Sequence, residues 1–216
     1  FYTPSISVYD QCISKNNQAK KEFLAMALGN LSLGEFSGLP GTRWEVEKIS
    51  ALFSGATVRY ENQSTESFAK ENAGLYNIVH FSTHGMLDKR QPMFSFVLFA
   101  PTPNDDGLLT VNEVFGLAIN AKLVTLSACE TGLGEISQGD EMVGLSRAFI
   151  YAGAPSVVVS LWSVADQPTA LLMSKFYEYQ KKYSLIESIS MAQREVLKEF
   201  TAPFFWAPFQ LIGKGE

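Results

Sequence analysis

The chain has 216 residues, enough for one domain with a full core, and 17 basic against 22 acidic residues give a net charge of −5. That mild acidity argues against a nucleic-acid binder, which would present a basic face, and 46% hydrophobic residues with 16 Phe exclude global disorder. Two cysteines cannot build a disulfide framework, and no apolar run approaches the ~20 residues of a bilayer span, so a reducing, cytoplasmic setting without a membrane partner is expected.

No signal-peptide pattern opens the chain, and the first residue is Phe1, which reads as a piece of a longer protein or a processed product. Charged residues are only 18%, which points to a surface partly covered by something outside this chain. There is no internal repeat, no low-complexity segment and no linker, so residues 1–216 are read as one domain.

Strand-like and helix-like stretches alternate. Residues 23–28 read as a buried strand that stops at Gly29-Asn30. Thr42-Arg-Trp-Glu45 has the form of a helix capping box, and Val46, Ile49 and Phe53 follow at helical spacing. Residues 56–60 read as a second strand, Ser64 as the cap of a helix to about Asn72, and residues 76–82 as a third strand ending at Thr83-His84-Gly85. Residues 94–100 suit a hairpin arm, residues 101–107 a turn-rich loop and residues 109–117 a short helix.

Residues 122–127 read as a fourth strand ending at Ala128-Cys129-Glu130. A loop with Gly132, Gly134 and Gly139 leads to a helix over residues 140–152 and a fifth strand over residues 156–162. Asp166 and Pro168 mark another helix start, Asp as cap and Pro in the first turn. Ser184-Leu-Ile-Glu187 is a capping box opening a helix to about Phe200, and residues 205–212 suit a last strand. The expectation is an α/β fold with a mostly parallel sheet.

Two strand ends carry reactive side chains, His84 after the third strand and Cys129 after the fourth. In open α/β sheets, function gathers beyond the carboxyl ends of the strands. Neighbouring strands would bring both to one cleft. A thiol with a pKa of ~8.5 is mostly protonated at neutral pH, and a nearby imidazole takes that proton and later returns one to a leaving amine. Gly85 lets backbone approach a substrate, and the N–H groups of Gly85 and Cys129 are the expected oxyanion donors. Taken singly, a cysteine after a strand is most often a small buried residue, and a His-Gly pair is usually just a turn. Together, at the ends of two strands, they make a catalytic pair. His80, inside an apolar strand, is read as a hydrogen-bonded core histidine, and Cys12 as structural.

The motifs His80-Phe-Ser-Thr-His-Gly85 and Leu126-Ser-Ala-Cys-Glu-Thr-Gly132 resemble the two catalytic signatures of the CHAT family, caspase-like and separase-related domains usually attached to tetratricopeptide repeats. The resemblance continues through Gly139-Asp-Glu-Met-Val-Gly-Leu-Ser-Arg147, Ala152-Gly-Ala-Pro155, Leu161-Trp162, Trp206-Ala-Pro-Phe209 and Leu211-Ile-Gly213, with Pro4-Ser5 and Leu39-Pro-Gly-Thr42 as early landmarks. It implies a three-layer α/β/α caspase-like sandwich around a mostly parallel sheet of about six strands. It also implies cysteine endopeptidase chemistry on a protein or peptide substrate, with His84 as general acid/base, Cys129 as nucleophile, and neither cofactor nor metal. A tetratricopeptide-repeat regulatory partner is implied as well.

The pattern departs at Ser163 and Ala165, where many members carry Pro and an acid; Asp166 remains. In separase-like and metacaspase-like relatives, acids in this region bind a basic side chain before the cut, so Asp166 reads as either a pocket acid or a helix cap. Asp140 reads as either a helix-dipole acid or a cleft residue, with Arg147 two turns on as an ion-pair candidate. Glu130 opens one expected substrate-facing loop, and the segment from Met86 to Met93 forms the other. The alternative reading is a catalytically silent scaffold on the same fold; a weaker third is an amidase acting on small molecules.

Phosphate-loop, dinucleotide-binding, zinc and serine-elbow patterns are not found in the sequence.

Overall fold

The computed structural model describes residues 5–15, 17, 19–34, 36–88, 90–127, 140–162 and 165–216, with backbone alone for 140–143. In chain order the elements are α1 (Ile6–Ser14), β1 (Lys21–Ala27), α2 (Pro40–Ser50), β2 (Ala56–Tyr60), α3 (Glu66–Asn72), β3 (Tyr76–Ser82), β4 (Gly85–Met86), β5 (Phe96–Leu98) and β6 (Leu108–Thr110). They continue with α4 (Val111–Val114), β7 (Leu123–Ser127), α5 (Asp140–Ala152), β8 (Ser156–Ser160), α6 (Asp166–Gln180), α7 (Leu185–Glu199), α8 (Pro203–Trp206) and β9 (Phe209–Gly213).

The main sheet has six strands in the order β2-β1-β3-β7-β8-β9, all parallel except β9, which runs antiparallel against β8. Strand parity sorts the core into two faces. Phe23, Ala25, Ala27, Leu123, Val158 and Leu211 pack with Val46 and Ile49 of α2, Phe176 and Tyr177 of α6, and Ile189 and Val196 of α7. Leu24, Met26, Val79, Phe81, Val124, Leu126, Val157, Val159 and Ile212 pack on the other side with Cys12 of α1, Ala69 of α3, Val114 of α4 and Phe149 of α5. Strands buried on both faces read as continuous apolar runs, and that is why residues 23–27 and 157–159 carry no polar residue. The result is the three-layer α/β/α arrangement expected from the sequence. Among the described residues no helix is long and apolar enough to cross a membrane.

Four local expectations are corrected. The cap of α3 is Thr65 and not Ser64, Thr65 Oγ1 accepting from Phe68 N–H (3.2 Å). Thr42 and Glu45 form no capping box: the cap of α2 is Leu39, three residues earlier, with Pro40 in the first turn, and Thr42 Oγ1 donates to Leu39 O (2.8 Å). Residues 109–117 divide into β6 and α4, with a capping box made by Thr110 and Glu113. Residues 205–212 divide into the end of α8 and the strand β9. The Ser184–Glu187 capping box forms as read, both hydrogen bonds being present.

A separate sheet, β4-β5-β6, lies beside the ends of the main strands. Its outer flank holds Lys70, whose Nζ meets Glu66 (2.5 Å), Asp105 (2.8 Å) and Glu113 (2.7 Å). These three carboxylates are grouped closely enough to hold a cation, and the ammonium occupies their centre. Burial works against the charge on Lys70, but its hydrogen bonds to Asp105, Glu113 and Glu66 outweigh it and raise the pKa. Hydrogen bonds from Lys70 and Ser67 lower Asp105, and Glu113 is lowered despite its burial. Lys70→Ala leaves buried Glu66 without its cation and is expected to cost about 2–3 kcal/mol at pH 7, less than a fully buried pair because Lys70 reaches solvent. Groups with lowered folded values stabilise above the ordinary carboxylate range near ~4 and lose that contribution as the pH falls through their folded values. The difference between the variant and the parent, measured by urea unfolding, therefore narrows in acid.

Candidate active site

The site is built where β3 and β7 end. The two strands are adjacent and parallel, in the register His80↔Thr125 and Ser82↔Ser127. The pairing extends one residue further, Thr83 N–H donating to Ser127 O (3.2 Å). His84 therefore stands two residues past Ser82, and Cys129 is two residues past Ser127 in sequence. Cys129 and Glu130 lie outside the described residues, as does the side chain of Asp140, so the expected Asp140–Arg147 pair does too.

His84 is buried, and its Nε2 sits 2.7 Å from Ser37 O. A carbonyl oxygen only accepts, so Nε2 carries the proton in the neutral ring and the Nδ1 lone pair is the basic one. The Phe36 ring leans on the imidazole at 5.3 Å, and Phe96 meets Phe36 edge-on at 6.0 Å. Among the described residues, the Ser37 carbonyl and the Phe36 ring both act on the ring orientation. A small hollow beside it is lined by Thr83, His84, Gly85, Leu126 and Ser127.

Gly85 begins β4 and pairs with Val97. Leu98 N–H donates to His84 O (2.8 Å), so Gly85↔Val97 is the non-hydrogen-bonded pair of that ladder. The Gly85 N–H is directed away from β5 and is not consumed by it. The loop after β4 is pinned by Asp88, whose Oδ1 accepts from the N–H groups of Arg90 (2.8 Å) and Gln91 (2.9 Å).

Asp166 is not the cap of α6. It is the first helical residue; Ala165 holds the cap position and makes no side-chain bond. The Asp166 side chain is exposed and lies directly against Gly41 in the first turn of α2, where any Cβ would collide with it. The structure thus brings the α6 start to the helix that carries Glu45.

Beneath His84 runs a buried polar row that sequence reasoning largely misses. His80, Ser82, Thr125 and Ser127 share the sheet face covered by α2 and α6. Glu45, 2% exposed, accepts from Ser82 Oγ at Oε2 (2.6 Å) and from Ser127 Oγ at Oε1 (2.7 Å). His80 Nε2 lies 3.2 Å from the same Oε1. Tyr177 O–H donates to Thr125 Oγ1 (2.8 Å), so its oxygen accepts from His80 Nδ1 (3.0 Å). Burial pushes the Tyr177 hydroxyl well above its usual range, against the pull of the Thr125 hydrogen bond, and keeps it a neutral donor. His80 is the core histidine expected. Glu45 had a signal of its own: positions 42, 45, 46 and 49 form one helical stripe, so the glutamate lies among inward-facing residues.

Comparison with known proteins agrees with this geometry. Residues 1–214 match the CHAT domain family model. Tetratricopeptide repeat protein 28 of Mus musculus is 35% identical over 111 residues, 49% of this chain and 4% of that protein. Its Homo sapiens counterpart is 33% identical over 116 residues, 51% of this chain and 5% of that protein. The chain thus spans a small fraction of the curated relatives it matches. Among solved structures, separase in the Saccharomyces cerevisiae separase–securin complex superposes with a TM-score of 0.64 at 14% identity, over 98% of this chain and 14% of that one. The Arg-specific cysteine proteinase gingipain R (RgpB) superposes with a TM-score of 0.63 at 10% identity, over 95% of this chain and 50% of that one. Fold, motif positions and family model converge: the chain belongs to the CHAT domain family and carries its caspase-like α/β fold.

Proposed function

We propose that this domain is a cysteine endopeptidase acting through His84 and Cys129. The observation that carries the reading is the β3–β7 pairing, which starts both residues from the paired positions Ser82 and Ser127. With its Nε2 proton committed to Ser37 O, His84 offers Nδ1 to the Cys129 thiol. The thiolate attacks the substrate carbonyl, and the C–S bond forms as the carbonyl oxygen takes the negative charge. The N–H groups of Gly85 and Cys129 hold that oxyanion, each donor lowering the barrier by about 3 kcal/mol. His84 returns its proton to the leaving amine, the C–N bond breaks, and water then hydrolyses the thioester. These steps need no metal or cofactor.

Asp166, exposed and not engaged as a cap, is the acid proposed to receive an Arg or Lys side chain before the cut, with Glu130 and Asp140 as further lining groups. The likeness to tetratricopeptide repeat protein 28 supports a tetratricopeptide-repeat neighbour in the full protein, with control of cleavage by that neighbour.

The test is covalent capture. A peptide bearing a thiol-reactive electrophile after Arg or Lys is expected to label Cys129 rapidly in the parent chain and at least ~10²-fold more slowly in His84→Ala, read by mass spectrometry. Equal, slow labelling of both would remove the peptidase reading and leave a binding domain on the same fold.

A further inference from the structure

The Glu45 carboxylate is buried between two strands and under one helix. It takes a proton donor from the last residue of β3 through Ser82 and from the last residue of β7 through Ser127. Desolvating a carboxylate is costly, and three apolar side chains would fill the same space without that cost. What apolar packing would not provide is a fixed separation between two strand ends. Backbone pairing holds β3 to β7 as far as Thr83 N–H to Ser127 O, after which β3 turns into β4. The Glu45 tie sits at the end of that pairing, on the last residue of each strand. The same helix is reached from Ser37, three residues before Pro40, whose carbonyl orients the His84 ring.

We propose that Glu45 is a positioning residue: by bonding Ser82 and Ser127 at once, it sets the distance between the strand exits that carry His84 and Cys129. This rests on the dyad assigned above. Near-attack geometry is sensitive to shifts of about 1 Å, which can cost ~10²-fold in rate, so a tie at this level acts on turnover rather than on substrate affinity. A tie also needs both ends. Losing either serine undoes it completely, and losing the second removes nothing more.

The experiment compares S82A, S127A, S82A/S127A and the isosteric E45Q, each confirmed folded by circular dichroism and assayed below its melting temperature. Each single serine variant is expected to lower kcat for peptide cleavage by about 10–100-fold with KM unchanged, and the double variant to fall no further. E45Q, which offers one accepting oxygen in place of two, is expected to move in the same direction. The pH profile of Cys129 alkylation, followed on its own peptide by mass spectrometry, should shift in all four toward that of an ordinary thiol, near ~8.5. Lowered melting temperatures with unchanged kcat and alkylation profile would overturn the role, as would kinetic losses that multiply in the double variant. A parent profile that H84A leaves unaltered would overturn the dyad and the positioning role together. That outcome is recognisable because it appears with Glu45 and both serines intact.

Discussion

Cys129→Ala is expected to abolish peptide cleavage, lowering kcat by about 10³-fold or more, and His84→Ala to lower it comparably, because nucleophile and base act as a unit and the loss of either disables both. The two variants differ in what else they disturb. His84 is a buried ring whose Nε2–H meets Ser37 O, so His84→Ala also removes that hydrogen bond, at about 0.5–1.5 kcal/mol because Ser37 is exposed to water. Turnover is therefore measured on protein shown to be folded, against a library of peptides, with the double variant included. The double should be no slower than the worse single. If Cys129→Ala cuts at the parental rate, the sulfur has no part in the chemistry.

Tyr177→Ala is expected to be the most destabilising single change, at about 4–6 kcal/mol, combining the loss of a buried aromatic ring with two broken hydrogen bonds. Its ring meets Phe23 edge-on at 5.5 Å, Phe53 at 5.8 Å and Phe176 at 5.1 Å, and its hydroxyl links His80 to Thr125. A domain of ordinary stability holds about 5–15 kcal/mol in all, so this variant sits near the edge of folding. Tyr177→Phe keeps the ring and deletes the hydroxyl alone, and about 1–2 kcal/mol is expected. Urea midpoints for the two variants separate the packing share from the polar share. Equal midpoints for Tyr177→Phe and the parent would show that the row beneath the strands contributes nothing net to stability.

The strands are legible because each is a short apolar run closed by turn residues, and their mostly parallel direction follows from the alternation of strand and helix, although their order does not. The candidate site is legible where it is a side chain at a strand end, as at His84, two residues past the end of β3. It is not legible where the partner is backbone. Nothing in Ser37 as a residue type announces that its carbonyl orients an imidazole. Glu45 is misread for a different reason: a glutamate three residues after a threonine matches a capping box, and only the earlier helix start at Pro40 moves it from the first turn to the inward stripe. Asp166 carries a one-residue ambiguity at a helix start, where an acid suits the cap and the first turn equally well. There the geometry favours Ala165 as the cap.

The stretch from Ser37 to Glu45 supplies both the carbonyl that meets His84 and the carboxylate that meets Ser82 and Ser127. Transplanting the His84 and Cys129 motifs onto another sheet would thus deliver the proposed dyad without its brace. An engineer who wanted this centre elsewhere would have to carry over α2 with its lead-in segment and keep it docked on the recipient's strands.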